Sequence, residues 1–450
     1  MQPSSGSSPR DSWASKAGFI LAAIGSAVGL GNMWRFSYVA SQGGGAAFVI
    51  AYLVLVAVIG IPLMTNEFVV GRLAKVSPVK ALPMLGGRRW TPLGWMFVFA
   101  GLVILSYYSV IAGWTMRYAW EAMRSGLPAD TAAHFNEMAS GPAAIGWHVA
   151  FMAITIVIVA GGIKKGIERA AIILMPALFL ILLGLAIYSF MLPDSGAGYR
   201  FYLNPRFGDL LDAKILGDAA GQAFFSLSLG MGALITFASY LKRSEDNLAK
   251  EATIVALTDF GVAFMAGLVV FPIVFTFGLQ DQISASGVGA LFISLPAAFV
   301  SMGSAGHLVG AAFFIMLFFA ALTSSISLLE VVVSAFLDTT KLSRHSAAIG
   351  MGLIITVVGI PSALSLNFLG AADKLVGNFV LILGGFLTAI FVGYKVLGQA
   401  DAELARGLED PTMRKAWAFL VRYVAPPILL VVLYLLLPDT WQAIRTLLGV

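Results

Sequence analysis

Three glycines, a serine and an asparagine share the stretch Gly25-Ser26-Ala27-Val28-Gly29-Leu30-Gly31-Asn32, and Arg35 follows three positions later. All lie within an apolar run over residues 13–40. Glycine costs about 1 kcal/mol relative to alanine in a helix interior, so this cluster marks a place where a helix comes apart cheaply. Freed carbonyls could hold a hard cation there, and freed amides an anionic group. The rival use of small residues is close helix packing. A second stretch, Phe224-Phe225-Ser226-Leu227-Ser228-Leu229-Gly230-Met231-Gly232, again sets glycines and hydroxyls in the middle of an apolar segment, over residues 216–240. Unwound backbone is tolerated at membrane depth only where it is buried in protein or lines a wet cavity. Two interrupted segments, one per half of the chain, point to a transporter built from inverted repeats.

Composition sets the solvent in which these segments work. Of 450 residues, 59% are hydrophobic and only 11% charged, with a mean hydropathy of +0.89, whereas soluble domains carry about 25% charged residues. The chain reads as a polytopic, all-α membrane protein surrounded by lipid. Windows of about 20 apolar residues place eleven spans near residues 13–40, 44–71, 91–124, 145–161, 167–191, 216–240, 248–278, 306–338, 346–361, 369–398 and 415–437. A flexible tail over 1–12 precedes them, a loop is expected over 192–215, and 438–450 is expected as a closing tail. Residues 280–300, interrupted by Gly287, Gly289 and Pro296, read as an outer loop with short helices.

Basic residues set the orientation. Arg72, Lys75, Lys80, Arg88, Arg89, Lys164, Lys165, Lys242, Arg243, Lys341 and Arg344 fall in alternate loops, so the positive-inside rule puts the N-terminus in the cytoplasm. Eleven spans then put the C-terminus outside. The net charge of +5 reflects this bias and gives no reason to expect nucleic acid as a partner. Four scattered histidines and no cysteine offer neither disulfides nor a thiolate or histidine metal site. No nucleophile is paired with a base, so an enzyme is not expected.

The chain resembles the neurotransmitter:sodium symporter family, in particular its bacterial amino-acid transporters. The stretches that carry the resemblance are Gly25 to Arg35 with Gly43-Gly44-Gly45, then Gly166-Ile167-Glu168-Arg169 with Pro176, Phe225 to Gly232, and Ala320-Ala321-Leu322-Thr323-Ser324-Ser325. The resemblance implies two inverted five-helix repeats, over 13–191 and 216–398, with discontinuous helices 1 and 6 and an eleventh helix outside the repeat. It also implies residence in the plasma or inner membrane of a bacterium.

Two sodium sites are implied. The first would use Ala27, Asn32, Ser226 and a polar group from span seven, where Asp259 matches counting back from Ala266-Gly267 and Thr258 matches counting forward from Tyr240. Asp259 is preferred, because an acid at mid-span costs several kcal/mol unless it is compensated and is a functional group by default. Chloride-dependent relatives hold an anion at positions that here read Tyr52, Gln222, Ser226, Asp259 and Ala263. Ala263 lacks a hydroxyl and Asp259 brings its own charge, so no chloride is expected. The second site would use carbonyls of Gly25, Val28 and Ala320 with the hydroxyls of Thr323 and Ser324. The triplet Thr323-Ser324-Ser325 could equally bond back to its own helix.

By the same resemblance a substrate carboxylate would meet the amides near Leu30 and Gly31 and the hydroxyl of Tyr108, and its ammonium the carbonyls of Ala27, Phe225 and Ser228. Ser26, Ile104, Phe225, Met231, Ser324 and Leu328 would wall the side chain. Monoamine carriers have an aspartate where this chain has Gly29, so the substrate is expected to bring its own carboxylate. With a pliable methionine in the wall, a neutral hydrophobic L-amino acid is expected. Arg35 with Asp373 on one side, and Arg10 with Asp338, Trp13 and Tyr240 on the other, would gate the pocket. The expected activity is sodium-coupled uptake by alternating access. A proton-coupled carrier with Asp259 as proton carrier, and a channel or substrate-sensing receptor, are the alternatives.

Overall fold

A computed structural model describes residues 11–242, 246–281 and 287–448. Nine of its helices are long and apolar enough to cross a membrane, and the pair Lys16–Ala27 and Leu30–Gln42, bent by 56° at a short break, makes a tenth. The remaining expected span is the second broken helix, Ala213–Ser226 followed by Ala233–Ser239. The unbroken spans are Ala46–Ala74, Arg88–Arg124, Pro142–Ala160, Ile163–Phe190, Leu248–Thr276, Ser304–Thr339, Arg344–Leu364, Leu366–Lys395 and Pro411–Leu448. All eleven starts agree with the hydropathy windows within about four residues. The first ten crossings fall into two sets of five, with Pro411–Leu448 outside them, and because five is odd the second set runs through the membrane inverted relative to the first.

Both breaks have local causes. Val28 leaves the helix with an extended backbone, and Gly29 is extended as well, so the first span stops at Ala27 and restarts at Leu30. In the sixth span the chain takes positive φ at Ser228, Gly230 and Gly232, a conformation that glycine adopts without the strain a β-carbon would bring. The broken spans are enclosed by long ones. In Ser304–Thr339 and Arg88–Arg124, 78% of the apolar window is buried, whereas in Ile163–Phe190 it is 28%, which marks that span as lipid-facing. The first repeat thus places its broken helix in the core and its fifth helix at the rim.

One element differs from the sequence reading, and another, expected as a loop with short helices, holds one that is packed into the core. The last span runs through Pro438 to Leu448 as one helix, so the expected tail is helical. Thr440 and Ala443 are buried beyond the proline, and this side-chain packing holds the last turns where composition alone argues for an end. The 280–300 region contains an apolar helix, Ala290–Ser301, pinned more firmly than a loop. Its Phe292 sits in an aromatic cluster with Trp114, Tyr118, Phe135 and Phe314, and Tyr118 donates its hydroxyl hydrogen to the Phe292 carbonyl at 2.7 Å.

Candidate functional site

The two breaks meet. One cavity is lined by Ser26, Ala27, Gly29, Gly31 and Asn32 from the first span, Ile104 and Tyr108 from the third, and Phe225, Ser226, Ser228 and Met231 from the sixth. Ser324 and Leu328 from the eighth and Leu381 from the tenth complete it. Every side-chain wall expected from the resemblance is present. Leu30 contributes its backbone instead, donating its N–H to the Tyr108 hydroxyl oxygen at 3.0 Å. Gly29 lies directly under that hydroxyl: a β-carbon there would come within 2.6 Å of Ser324 Oγ and 2.9 Å of the Tyr108 oxygen. Ser228 bridges the two broken helices, its hydroxyl donating to the Ser26 carbonyl at 2.7 Å.

Beside the cavity Asp259 is fully buried, while Thr258 lies partly exposed on the same helix. Of the two, Asp259 is the one that faces Asn32 and Ser226. Its carboxylate accepts from Asn32 Nδ2 at 2.7 Å, from Ser226 Oγ at 2.7 Å and from the Tyr52 hydroxyl at 3.3 Å. Asn32 in turn accepts the Gly29 N–H at 2.9 Å. Gln222 donates to the Gly31 carbonyl at 3.1 Å. Ala263, one helical turn from Asp259, is buried. Of the groups that the resemblance assigns to a chloride ion, Tyr52 and Ser226 already spend their protons on this carboxylate.

A second oxygen cluster lies across the first break. The carbonyls of Gly25, Ser26 and Val28 converge on Ser324 Oγ at 3.4, 3.4 and 3.3 Å. One hydroxyl proton cannot satisfy three carbonyls at once, so the cluster is electron-rich and suits a small hard cation. Thr323 instead bonds back to Phe319 and Ala320 of its own helix at 3.1 and 3.0 Å. The triplet is thus divided: Thr323 closes on its own helix and Ser324 on the break. Ser325 is buried, and among the described residues its hydroxyl has no hydrogen-bond partner. Among the described residues no three His, Asp or Glu side chains converge as metal ligands, so neutral oxygens and Asp259 are the cation-binding groups at hand.

At the Arg35 gate each of the two expected charged partners is held by a neutral neighbour. Arg35 lies over the Phe225 ring, 5.1 Å from its centroid, and donates to Asn378 Oδ1 at 2.7 Å. Asp373 accepts from the Tyr107 hydroxyl at 2.9 Å. Among the described residues no direct ion pair joins Arg35 to Asp373, because each is held by a neutral neighbour. On the other side Arg10 lies outside the described residues. Asp338 accepts the Ser77 N–H. Trp13 is buried against Phe19 and Phe237 and donates to the Phe237 carbonyl at 2.9 Å. The Tyr240 hydroxyl donates to Glu330, and Arg344 joins Glu330 at 2.8 Å and Asp11 at 2.8 Å.

Four residues were given no site role by the sequence reading, Glu168 entering it only as part of a resembling stretch. Glu67 accepts the N–H of Gly230 at 2.8 Å and so holds the second break. Glu168 binds the Ala14 and Ser15 amides at the Trp13 end, at 2.7 and 3.0 Å. Glu330 and Leu381 complete the set. Glu67 and Glu330 are acids within apolar spans, and the rule that singled out Asp259 would have found both. Leu381 carries no comparable signal.

The model of a family described as "Sodium:neurotransmitter symporter family" matches residues 10–144 and 134–440. The chain is 35% identical over 439 residues to an "Uncharacterized sodium-dependent transporter" of Bacillus subtilis, covering 93% of this chain and 96% of the relative. It is 31% identical over 301 residues to the "Sodium-dependent neutral amino acid transporter B(0)AT2" of Mus musculus, covering 59% and 40%. Among solved structures, MhsT in complex with L-phenylalanine superimposes with a TM-score of 0.87 at 42% identity, over 95% of this chain and 100% of MhsT.

Proposed function

The chain belongs to the sodium:neurotransmitter symporter family, as a sodium-dependent, multi-pass membrane transporter, and from that premise we propose that it carries a neutral hydrophobic L-amino acid into the cell with sodium, by alternating access. The observation that carries this reading is the floor of the cavity. Gly29 brings no acid to the floor under Tyr108 and Ser324, where even a β-carbon would crowd both hydroxyls, and the Tyr108 hydroxyl, itself accepting the Leu30 N–H, has its own proton to donate at the start of a helical segment, where a carboxylate is favoured. The substrate's own carboxylate, in the cavity above that floor, takes the Tyr108 proton. Its ammonium faces the carbonyls of Ala27, Phe225 and Ser228. Ile104, Met231 and Leu328 give the side chain an apolar surround, in keeping with the L-phenylalanine of MhsT.

Two sodium ions travel with it as substrates. One sits among Ala27, Asn32, Ser226 and Asp259, the other among Gly25, Val28, Ala320, Thr323 and Ser324, where Thr323 turns from its own helix to the ion. Chloride is dispensable because the Asp259 carboxylate supplies the negative charge. Arg35 over Phe225 closes the outer path, and Trp13 with the Tyr240, Glu330 and Arg344 network closes the inner one. The N-terminus lies in the cytoplasm and the C-terminus outside, in a bacterial plasma or inner membrane. Uptake of the twenty amino acids into proteoliposomes, with sodium and with choline in its place, tests the reading. Sodium-dependent uptake of leucine, valine, methionine and the aromatic acids is expected, and uptake that ignores sodium would sink it.

A second reading has one observation behind it. Asp259 is a buried acid held by three neutral donors, a setting that also suits a proton carrier. An inward proton gradient that drives uptake without sodium would favour it.

A further inference from the structure

Leu381, on the tenth span, enters the cavity from outside both broken helices, and it is 1% exposed. We propose that Leu381 is the rigid end wall of the side-chain subsite and sets the size of the largest amino acid the protein accepts; this rests on the amino-acid reading above. The cavity's lining divides by polarity. Charged ends of an amino acid pair with amides, hydroxyls and carbonyls of the breaks, so its side chain faces Ile104, Met231, Leu328 and Leu381.

These walls differ in stiffness. Met231 has an unbranched side chain that adapts to its neighbours. Leu381 is γ-branched, and its backbone is clamped: its carbonyl packs so closely on Gly230 that a β-carbon there would collide with it. One turn on, Gly384 meets the Gly230 carbonyl and Gly385 the Phe224 ring with equally little room. The Gly230 N–H is held from the other side by Glu67. The tenth span therefore cannot back away from the unwound segment, and a side chain too long for the subsite meets a wall that does not yield. Asn378, three residues before Leu381, holds Arg35 over Phe225. Pressure on this turn is thus transmitted to the roof of the cavity, which an oversized substrate keeps from closing.

Sodium-driven uptake of valine, leucine, phenylalanine and tryptophan by the full-length protein in proteoliposomes, taken as kcat/KM, tests this. Leu381→Ala should raise the tryptophan to valine ratio about tenfold and Leu381→Phe should lower it about as much, the range expected for adding or removing a few methylenes of room in an apolar pocket. Should the phenylalanine variant fail to insert, Leu381→Ala and Leu381→Val decide, with the smaller residue giving the larger shift. A uniform fall across all four substrates, or ratios within twofold of wild type, would assign Leu381 a structural role only and overturn the inference. If the unaltered protein takes up none of the four, the amino-acid reading itself fails, which is a separate outcome.

Discussion

At Gly29 the absence of a side chain is the feature on which the proposed carboxylate position depends. Gly29→Ala brings a β-carbon to 2.6 Å from Ser324 Oγ, so a loss of uptake from crowding alone is expected. Gly29→Asp adds a second carboxylate beside the substrate's own in a low-dielectric site. Uptake by the aspartate variant should fall at least about tenfold below that of the alanine variant, while a decarboxylated analogue should bind it relatively better. Competition binding across the two variants checks this, and equal affinities for the amino acid would refute the placement of its carboxylate. Asp259 makes the second residue-scale case. Transport should be unchanged when gluconate replaces chloride, and Asp259→Asn should abolish it. Adding Ala263→Ser to that variant should create a chloride requirement by completing a site with Tyr52, Gln222 and Ser226. Thr258→Val, at a partly exposed position, should leave sodium dependence intact.

Among the elements, the broken spans depend on neighbours for their shape. The unwound segment after Ser226 is held by Glu67 and by the glycines of the tenth span. A β-carbon at Gly384 would strike the Gly230 carbonyl, whereas one at Gly350, also in a transmembrane helix, meets nothing within 4 Å. Gly384→Ala should therefore lower substrate affinity and thermal stability together. Gly350→Ala should be neutral or raise stability by up to about 1 kcal/mol through helix propensity. Melting curves with and without substrate separate the two, and equal behaviour would mean that the tenth span does not brace the break. The first break meets the eighth span at Ser324. Thr323→Val with Ser324→Ala removes both hydroxyls with little change of volume, so sodium affinity should fall while the protein still inserts. An unchanged sodium dependence in that pair would return Thr323 to back-bonding within its helix, the contact seen in the structure.

For the molecule as a whole, the proposed cycle, in which two sodium ions travel with a zwitterion, moves two positive charges inward. A potential of 100 mV then contributes about 4.6 kcal/mol, close to a thousandfold accumulation before any sodium gradient is counted. Uptake into proteoliposomes should rise steeply when a potassium diffusion potential makes the interior negative, and an electroneutral cycle would exclude this stoichiometry. Much of this architecture was legible in the chain. Mean hydropathy and span length determine how many crossings there are, and glycines beside hydroxyls at mid-span determine where two of them break, because both follow from the cost of local conformation in lipid. Local cost has no reach across the fold. It preferred Asp259 to Thr258 only as a mid-span acid and could not show which of them faces Asn32, since neighbours on a helix point in directions about 100° apart and only packing says which direction is inward. Nor could it find Leu381, an ordinary leucine in an apolar span, or show that Arg35 would reach Asn378 in place of Asp373. Those outcomes belong to the tertiary structure, because they depend on which faces of distant helices meet once the two breaks are brought together.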